Sequence, residues 1–167
     1  DTLKALQTLA NSWRKKNGFK ILAITGSNGK TTTKEFTYQI LQSHFSVSRA
    51  QGSFNNHIGV PLTLLSMESS ADVGVLEMGM NHLGEIENLM EIAEPDVVTV
   101  TTVGRGHLEG LGTVENVAKA KAEIYENAKE EAIQIFNLDN KYTLEMKEKY
   151  ARPDHVLTFS QEKSEAD

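Results

Sequence analysis

The stretch ITGSNGKTTTKEF, Ile24 to Phe36, sets two glycines, a lysine and three consecutive threonines between an apolar run and a helical pattern. The apolar run, FKILAIT (Phe19–Thr25), reads as a buried strand, and Thr31 to Ser43 reads as a helix. A glycine-rich turn entering a helix leaves the first N–H groups unpaired at the positive end of the helix dipole, which suits a phosphate. Gly26 and Gly29 let the backbone curl around such an anion, Lys30 reaches its outer oxygens, and the Thr31 hydroxyl suits Mg²⁺. The usual phosphate loop, Gly-x-x-x-x-Gly-Lys, begins with a glycine where this chain has Ile24, so the motif is a shortened Gly-x-x-Gly-Lys-Thr. A plain Gly-Asn turn with a helix cap would explain the glycines, but it has no use for Lys30. The stretch is read as a phosphate loop.

Outward from it, strand patterns alternate with helical ones. Leu3, Leu6, Leu9, Ala10 and Trp13 mark a first helix, with Asp1 placed to cap it and Asn17-Gly18 to stop it. FSVSR is a short strand, GVPLTLLSM a short helix with Pro61 in its first turn, and DVGVLEMG a third strand. A helix over Gly84–Ala93 ends at Pro95, and DVVTVTT is the fourth strand. Gly104 to Gly112 reads as a glycine-rich loop, and Thr113 caps a long helix to Ala128. AIQIFN, a helix over Asp139–Tyr150 and the strand HVLTFS complete the series. The alternation predicts parallel βαβ units: an α/β fold with an open, mostly parallel sheet and helices on both faces. Residues 1–160 are expected to form one domain, with 161–167 a polar tail.

The 167 residues, 39% of them hydrophobic, suffice for one domain with its own core. A net charge of −6 argues against a nucleic-acid partner, although a local nest of N–H groups can still hold a nucleotide. With no cysteine, disulfides and thiolate metal sites are excluded. No apolar stretch approaches the roughly 20 residues that span a bilayer, and no signal-peptide pattern opens the chain, so a soluble, cytoplasmic domain is expected.

In an open α/β sheet the ligand lies beyond the carboxyl ends of the strands. VLEMGMN puts Glu77 there, either as a carboxylate holding Mg²⁺ or as an ordinary surface residue. His107, in TTVGRGHLEG, is a metal ligand or a solvated loop histidine. Asn55 and Asn56 either bind a polar substrate or make a turn, and Asn137 and Asp139 sit at the edge of the presumed site. Lys121 is the misfit. It falls on the apolar stripe of Val114, Val117, Ile124 and Tyr125 and must snorkel outward, pair with an acid, or lose its charge. Snorkelling is the ordinary outcome. Reaction with CO₂ would instead give a carbamate, which is a metal ligand. Lys119 points away and stays solvated.

Taken in order, ITGSNGKTTTKE, SFNNHIGVPLTLL, VLEMGMNHLGEIENL, GHLEGLGTVENVAKAKAEI and NLDN resemble the central ATP-binding domain of the Mur ligases, a P-loop NTPase-like fold. The Asn-Asn-x-x-Gly-x-Pro-Leu run resembles, within that family, the members that join D-alanyl-D-alanine to UDP-N-acetylmuramoyl-tripeptide. The resemblance implies that Gly26, Ser27, Asn28, Gly29, Lys30, Thr31 and Thr32 hold the phosphates of ATP, and that Asn137 and Asp139 approach the adenosine. It implies one Mg²⁺ on Thr31 and Glu77 and a second on Glu77, His107 and a carbamylated Lys121. Asn55 and Asn56 would contact the UDP-linked substrate. The implied enzyme is monomeric and bacterial, with further N-terminal and C-terminal domains, so that this chain alone would be inactive. Two positions depart from the family pattern: Thr102 stands where Asn is usual, and Gly106 where Ala is. Rival readings are a tripeptide synthetase or folylpolyglutamate synthase of the same superfamily, a P-loop kinase or GTPase, and a nucleotide-binding module without catalysis. The absence of Asn-Lys-x-Asp counts against a GTPase.

Overall fold

A computed structural model describes residues 1–106, 108–164 and 166–167. Six strands form one all-parallel sheet: β1 (Lys20–Thr25), β2 (Val47–Arg49), β3 (Val73–Glu77), β4 (Val97–Val100), β5 (Ile133–Asn137) and β6 (Val156–Phe159), in the order β2-β3-β1-β4-β5-β6. The helices are α1 (Thr2–Asn17), α2 (Lys30–Leu41), α3 (Gly59–Ser66), α4 (Glu85–Ala93), α5 (Leu108–Leu111), α6 (Val114–Glu126) and α7 (Lys141–Tyr150). The expected α/β sheet with helices on both faces is what the chain forms.

The handedness of crossover connections decides which helix lies where. The chain moves from β1 out to the β2 edge through α2, and every later crossover moves the opposite way across the sheet. Right-handed connections therefore put α2 on one face and α3, α4, α6 and α7 on the other. There they pack with one another and with α1. On the α2 face, Leu22, Thr99, Ile135 and Phe159 floor a groove of about 650 Å³ whose wall includes Thr33 and Thr37 of α2. On the opposite face Ile21, Ala23, Val98, Val100 and Phe136 are fully buried under the helix layer. Tyr125 of α6 stacks on Phe136 at 4.3 Å, and its hydroxyl donates to the Ile135 carbonyl and accepts from Val100 N–H. It pins two neighbouring strands at their carboxyl ends.

Local sequence explains most element ends. Asp1 caps α1, Thr113 caps α6, and Gly18 closes α1 in the left-handed region at φ 70°. Beyond shifts of a residue or two at element ends, three features depart from the sequence expectation. The glycine-rich segment after β4 contains the short helix α5, and a single 3₁₀ turn spans Pro153–His155. Helix α7 begins at Lys141, because Asn140 rather than Asp139 supplies the cap, its Oδ1 accepting from Thr143 N–H. No helix among the described residues is long and apolar enough to cross a membrane.

Candidate functional site

The turn from β1 into α2 has the form that anion binding demands. Gly29, the residue preceding α2, is left-handed at φ 83° and gives the helix no side-chain cap, so its first N–H groups face outward unsatisfied by the chain's own side chains. Gly26 has φ 152°, and a Cβ there would lie 1.9 Å from Thr101 Oγ1, so no other residue fits. The loop is braced from the end of β4: Ser27 N–H donates to the Thr102 carbonyl, Thr101 Oγ1 donates to the Asn28 carbonyl at 2.6 Å, and Ser27 Oγ accepts from Gly104 N–H. Asn28, Gly29, Thr31 and Thr32 are exposed at its rim. Lys30 folds back and donates to the Gly26 carbonyl at 2.7 Å. Burial holds its ammonium below the ordinary lysine value, against the opposing pull of Glu77.

Glu77, at the carboxyl end of β3, is 2% exposed. Its Oε2 accepts from the Thr31 hydroxyl at 2.8 Å and its Oε1 from Asn55 Nδ2 at 3.0 Å. The phosphate loop, the third strand and the segment after the second strand thus meet on one carboxylate. Asn56 takes a different place: it is exposed, and its Oδ1 accepts from Ile58 and Gly59 N–H, shaping the turn into α3.

Lys121 is fully buried, and among the described residues its Nζ has no hydrogen-bond partner. The snorkelling expected from sequence does not occur: Lys121 lies on the buried face of α6 with Val117, Ile124 and Tyr125, and its side chain reaches no solvent. Burial first, and then repulsion from Lys30, lower its pKa from 10.5 to about 7. The amine is therefore available in its neutral, nucleophilic form near neutral pH. His107 lies outside the described residues. Among the described residues no three His, Cys, Asp or Glu side chains gather into a ready-made metal cage. The hard oxygens of Thr31 and Glu77 suit Mg²⁺. An orphaned buried amine close to Lys30 is the kind of group that a carbamate would satisfy.

At the far side of the groove Asn137 is buried, donating to the Thr101 carbonyl and accepting from Asp139 N–H. Asp139 is exposed and accepts from Ser160 Oγ and Gln161 N–H, tying down the segment after β6. Both line the groove, but their polar atoms are engaged with the chain itself.

Residues 24–167 match the Mur ligase middle domain. The chain belongs to that family. It is 44% identical over 136 residues to the UDP-N-acetylmuramoyl-tripeptide–D-alanyl-D-alanine ligase of Bacillus subtilis, covering 81% of this chain and 30% of the relative. A MurF crystal structure from Acinetobacter baumannii superposes with a TM-score of 0.89 at 34% identity, over 97% of this chain and 35% of that one. MurF from Thermotoga maritima, solved in complex with ADP, does so with 0.85 at 33% identity, over 98% and 38%. The chain spans about a third of the length of the relatives it matches.

Within this Mur ligase middle domain, two groups of residues were not singled out by sequence reasoning. Thr101, which braces the loop that Gly26 opens, looks like any strand threonine until the two chain segments are brought together. Lys34, one turn into α2, is fully buried beside Glu77. Its position three residues after Thr31, on the same helix face, was the available signal. Of the two departures from the family pattern, Thr102 retains a role through its carbonyl, which a side-chain change leaves in place.

Proposed function

We propose that this chain is the ATP-binding domain of a ligase that joins D-alanyl-D-alanine to UDP-N-acetylmuramoyl-tripeptide, converting ATP to ADP and phosphate. The observation that carries the reading is the uncapped start of α2, with Thr31 hydrogen-bonded to the buried Glu77 beside it. In this reading Gly26 to Thr32 cradle the phosphates through backbone N–H groups, and Lys30 swings from the Gly26 carbonyl to the γ-phosphate. Asn137 and Asp139 shape the groove for the adenosine. Asn55 and Asn56 face the UDP-linked substrate. Thr31 and Glu77 hold one Mg²⁺, and Glu77, His107 and a carbamylated Lys121 a second. The ions, when bound, neutralise charge on the transferring phosphoryl group.

The reaction proceeds in two steps. An oxygen of the tripeptide's terminal carboxylate attacks the γ-phosphorus as the bond to ADP breaks, giving an acyl phosphate. The amine of D-alanyl-D-alanine then attacks the acyl carbon, phosphate leaves, and the amine surrenders a proton. The residues of this chain contribute position and positive charge to the first step, where electrostatic stabilisation dominates.

The test is calorimetric titration with a non-hydrolysable ATP analogue and Mg²⁺, beside a GTP analogue. Binding of the ATP analogue alone, weakened at least tenfold in Lys30→Ala, is expected. Preference for the GTP analogue would overturn the nucleotide assignment. In a chain of the relatives' full length, phosphate release should require both the tripeptide and the dipeptide; release with neither present would overturn the ligase reading.

A further inference from the structure

Two lysines are fully buried, and they differ in kind. Among the described residues Lys121 has no partner, whereas Lys34 meets three groups from different parts of the chain. Its Nζ donates to the Gly52 carbonyl at 2.7 Å and lies 3.4 Å from Glu35 Oε1 and 3.9 Å from Glu77 Oε2. Among the described residues it is the one cation within 4.0 Å of the Glu77 carboxylate. Burying an ammonium is costly unless a specific arrangement requires it, and a leucine or methionine would fill the same space.

Around it the segment after β2 is fastened down over the end of β3. Gly79 N–H donates to the Asn55 carbonyl at 2.7 Å, Asn55 Nδ2 donates to Glu77, and a Cβ on Gly79 would come within 2.8 Å of the Asn55 side chain. The clamp has three points. Two of them, at Gly79 and Glu77, tie the segment to β3. The third, Lys34, ties it to the phosphate-loop helix.

We propose that Lys34 is a positioning residue that locks Glu77 and the Gly52–Asn56 segment into the frame of α2. The nucleotide loop, the carboxylate and the segment carrying Asn55 then move as one body. A change at the phosphate loop is passed to Asn55 through a rigid link, and Glu77 keeps its geometry without drawing on solvent. The proposal rests on the reading of Glu77 as a metal-binding carboxylate only for its second test below.

Lys34→Met keeps the stem and removes the ammonium. Glu35→Gln removes the half-buried carboxylate, which also pairs with Arg49 of β2 at 2.8 Å, while leaving the ammonium and its bond to Gly52, and serves as control. The first readout is amide hydrogen exchange in this chain, with folding checked by circular dichroism. Gly79 and residues 52–56 should exchange at least tenfold faster in Lys34→Met, with the β1 and β4 amides and the Glu35→Gln protein unchanged. If Lys34→Met does not fold, Asn55→Ala severs the clamp at Glu77, and the same local acceleration is expected. Acceleration spread evenly over β1, β4 and Gly79 would mean a general packing role and overturn the proposal, as would no acceleration at all. The second readout is the Mg²⁺ concentration that half-saturates ATP-analogue binding, expected to rise about tenfold in Lys34→Met while binding without Mg²⁺ is unchanged. An unchanged Mg²⁺ requirement would overturn the link to Glu77. If the unmutated chain binds no ATP analogue, the nucleotide reading fails while the exchange result still decides the role of Lys34.

Discussion

The two ends of the same sheet treat buried charge in opposite ways. At the amino ends of the strands Asp96, just before β4, gathers Arg14 at 3.0 Å, Lys129 at 2.9 Å and Lys20 at 3.5 Å, and accepts from Ile21 N–H. Arg14 also donates to the carbonyls of Ala93 and Glu94, so each charged group of this cluster has a partner. At the carboxyl ends Lys34 lies 3.9 Å from Glu77, and Lys30 is near enough to interact with both Glu77 and Lys121. Lys121 finds no partner among the described residues, and the start of α2 is uncapped. The first arrangement closes α1, β1, β4 and the approach to β5 together. The second keeps an unpartnered amine buried and leaves the N–H groups at the start of α2 open at an exposed rim, an arrangement that a bound anion would complete. One end is built for the fold; the other, in the reading proposed above, receives an anion.

That contrast breaks most visibly at Lys121. Lys121→Met removes an orphaned amine from an apolar site, so the protein should melt at a higher temperature in CO₂-free buffer. In a chain of the relatives' full length, ligase activity should fall by about a thousandfold, the scale expected when a group stabilising transition-state charge is lost. A variant less stable than the parent, or one retaining activity, would place Lys121 with the structural charges instead. The converse holds for Asp96. Asp96→Asn leaves Arg14 and Lys129 without their carboxylate and should cost about 3 kcal/mol in urea unfolding, with nucleotide binding per folded molecule unchanged.

The pH dependence of stability separates the two ends again. Burial alone would raise the Asp96 pKa, but the Ile21 N–H and Lys129 outweigh it and hold it below the ordinary 3.8. Its contribution is present above that ordinary value and is lost as pH falls through the lower, folded value. Lys121 runs the other way. With a folded pKa of about 7 against 10.5, its burial penalty is complete at and below pH 7 and is relieved as pH rises toward 10.5. At about 1.4 kcal/mol per unit the penalty is a few kcal/mol. The melting advantage of Lys121→Met should therefore be flat in acid and shrink steadily above pH 7, while that difference for Asp96→Asn changes only in acid. A Lys121→Met advantage that grew with pH would sink this account.

How far each end could be read from sequence follows from how local its determinants are. The phosphate loop was legible because Gly26, Gly29, Lys30 and Thr31 lie within six consecutive residues whose spacing is itself the geometry. Lys121 was legible as a misfit in a helical stripe, but its fate was not, since whether it can snorkel depends on what packs over that face of α6. Lys34 gave almost no signal: its partners Gly52 and Glu77 are far off in sequence, and only the sheet order brings them together. Asp139 and Asn140 are both good capping residues, and the choice between them was made by Ser160 and Gln161, which occupy Asp139. The hub at Asp96 was invisible for the same reason as Lys34.

The smallest effect tests whether all the charges at the amino end belong to that hub. Lys20 reaches Asp96 at 3.5 Å, but its side chain is 74% exposed, against 11% for Arg14 and 25% for Lys129. An exposed ion pair gains little in high dielectric and spends side-chain freedom to form. Lys20→Ala should therefore change unfolding free energy by less than about 0.5 kcal/mol, with its small effect vanishing in 1 M salt. The loss from Asp96→Asn should persist in the same salt, because the Arg14 and Lys129 side chains that pair with Asp96 are largely withdrawn from solvent. If Lys20→Ala cost as much as Asp96→Asn, the hub would be a surface network rather than a buried one, and the amino end of the sheet would owe its stability to solvent-exposed charge.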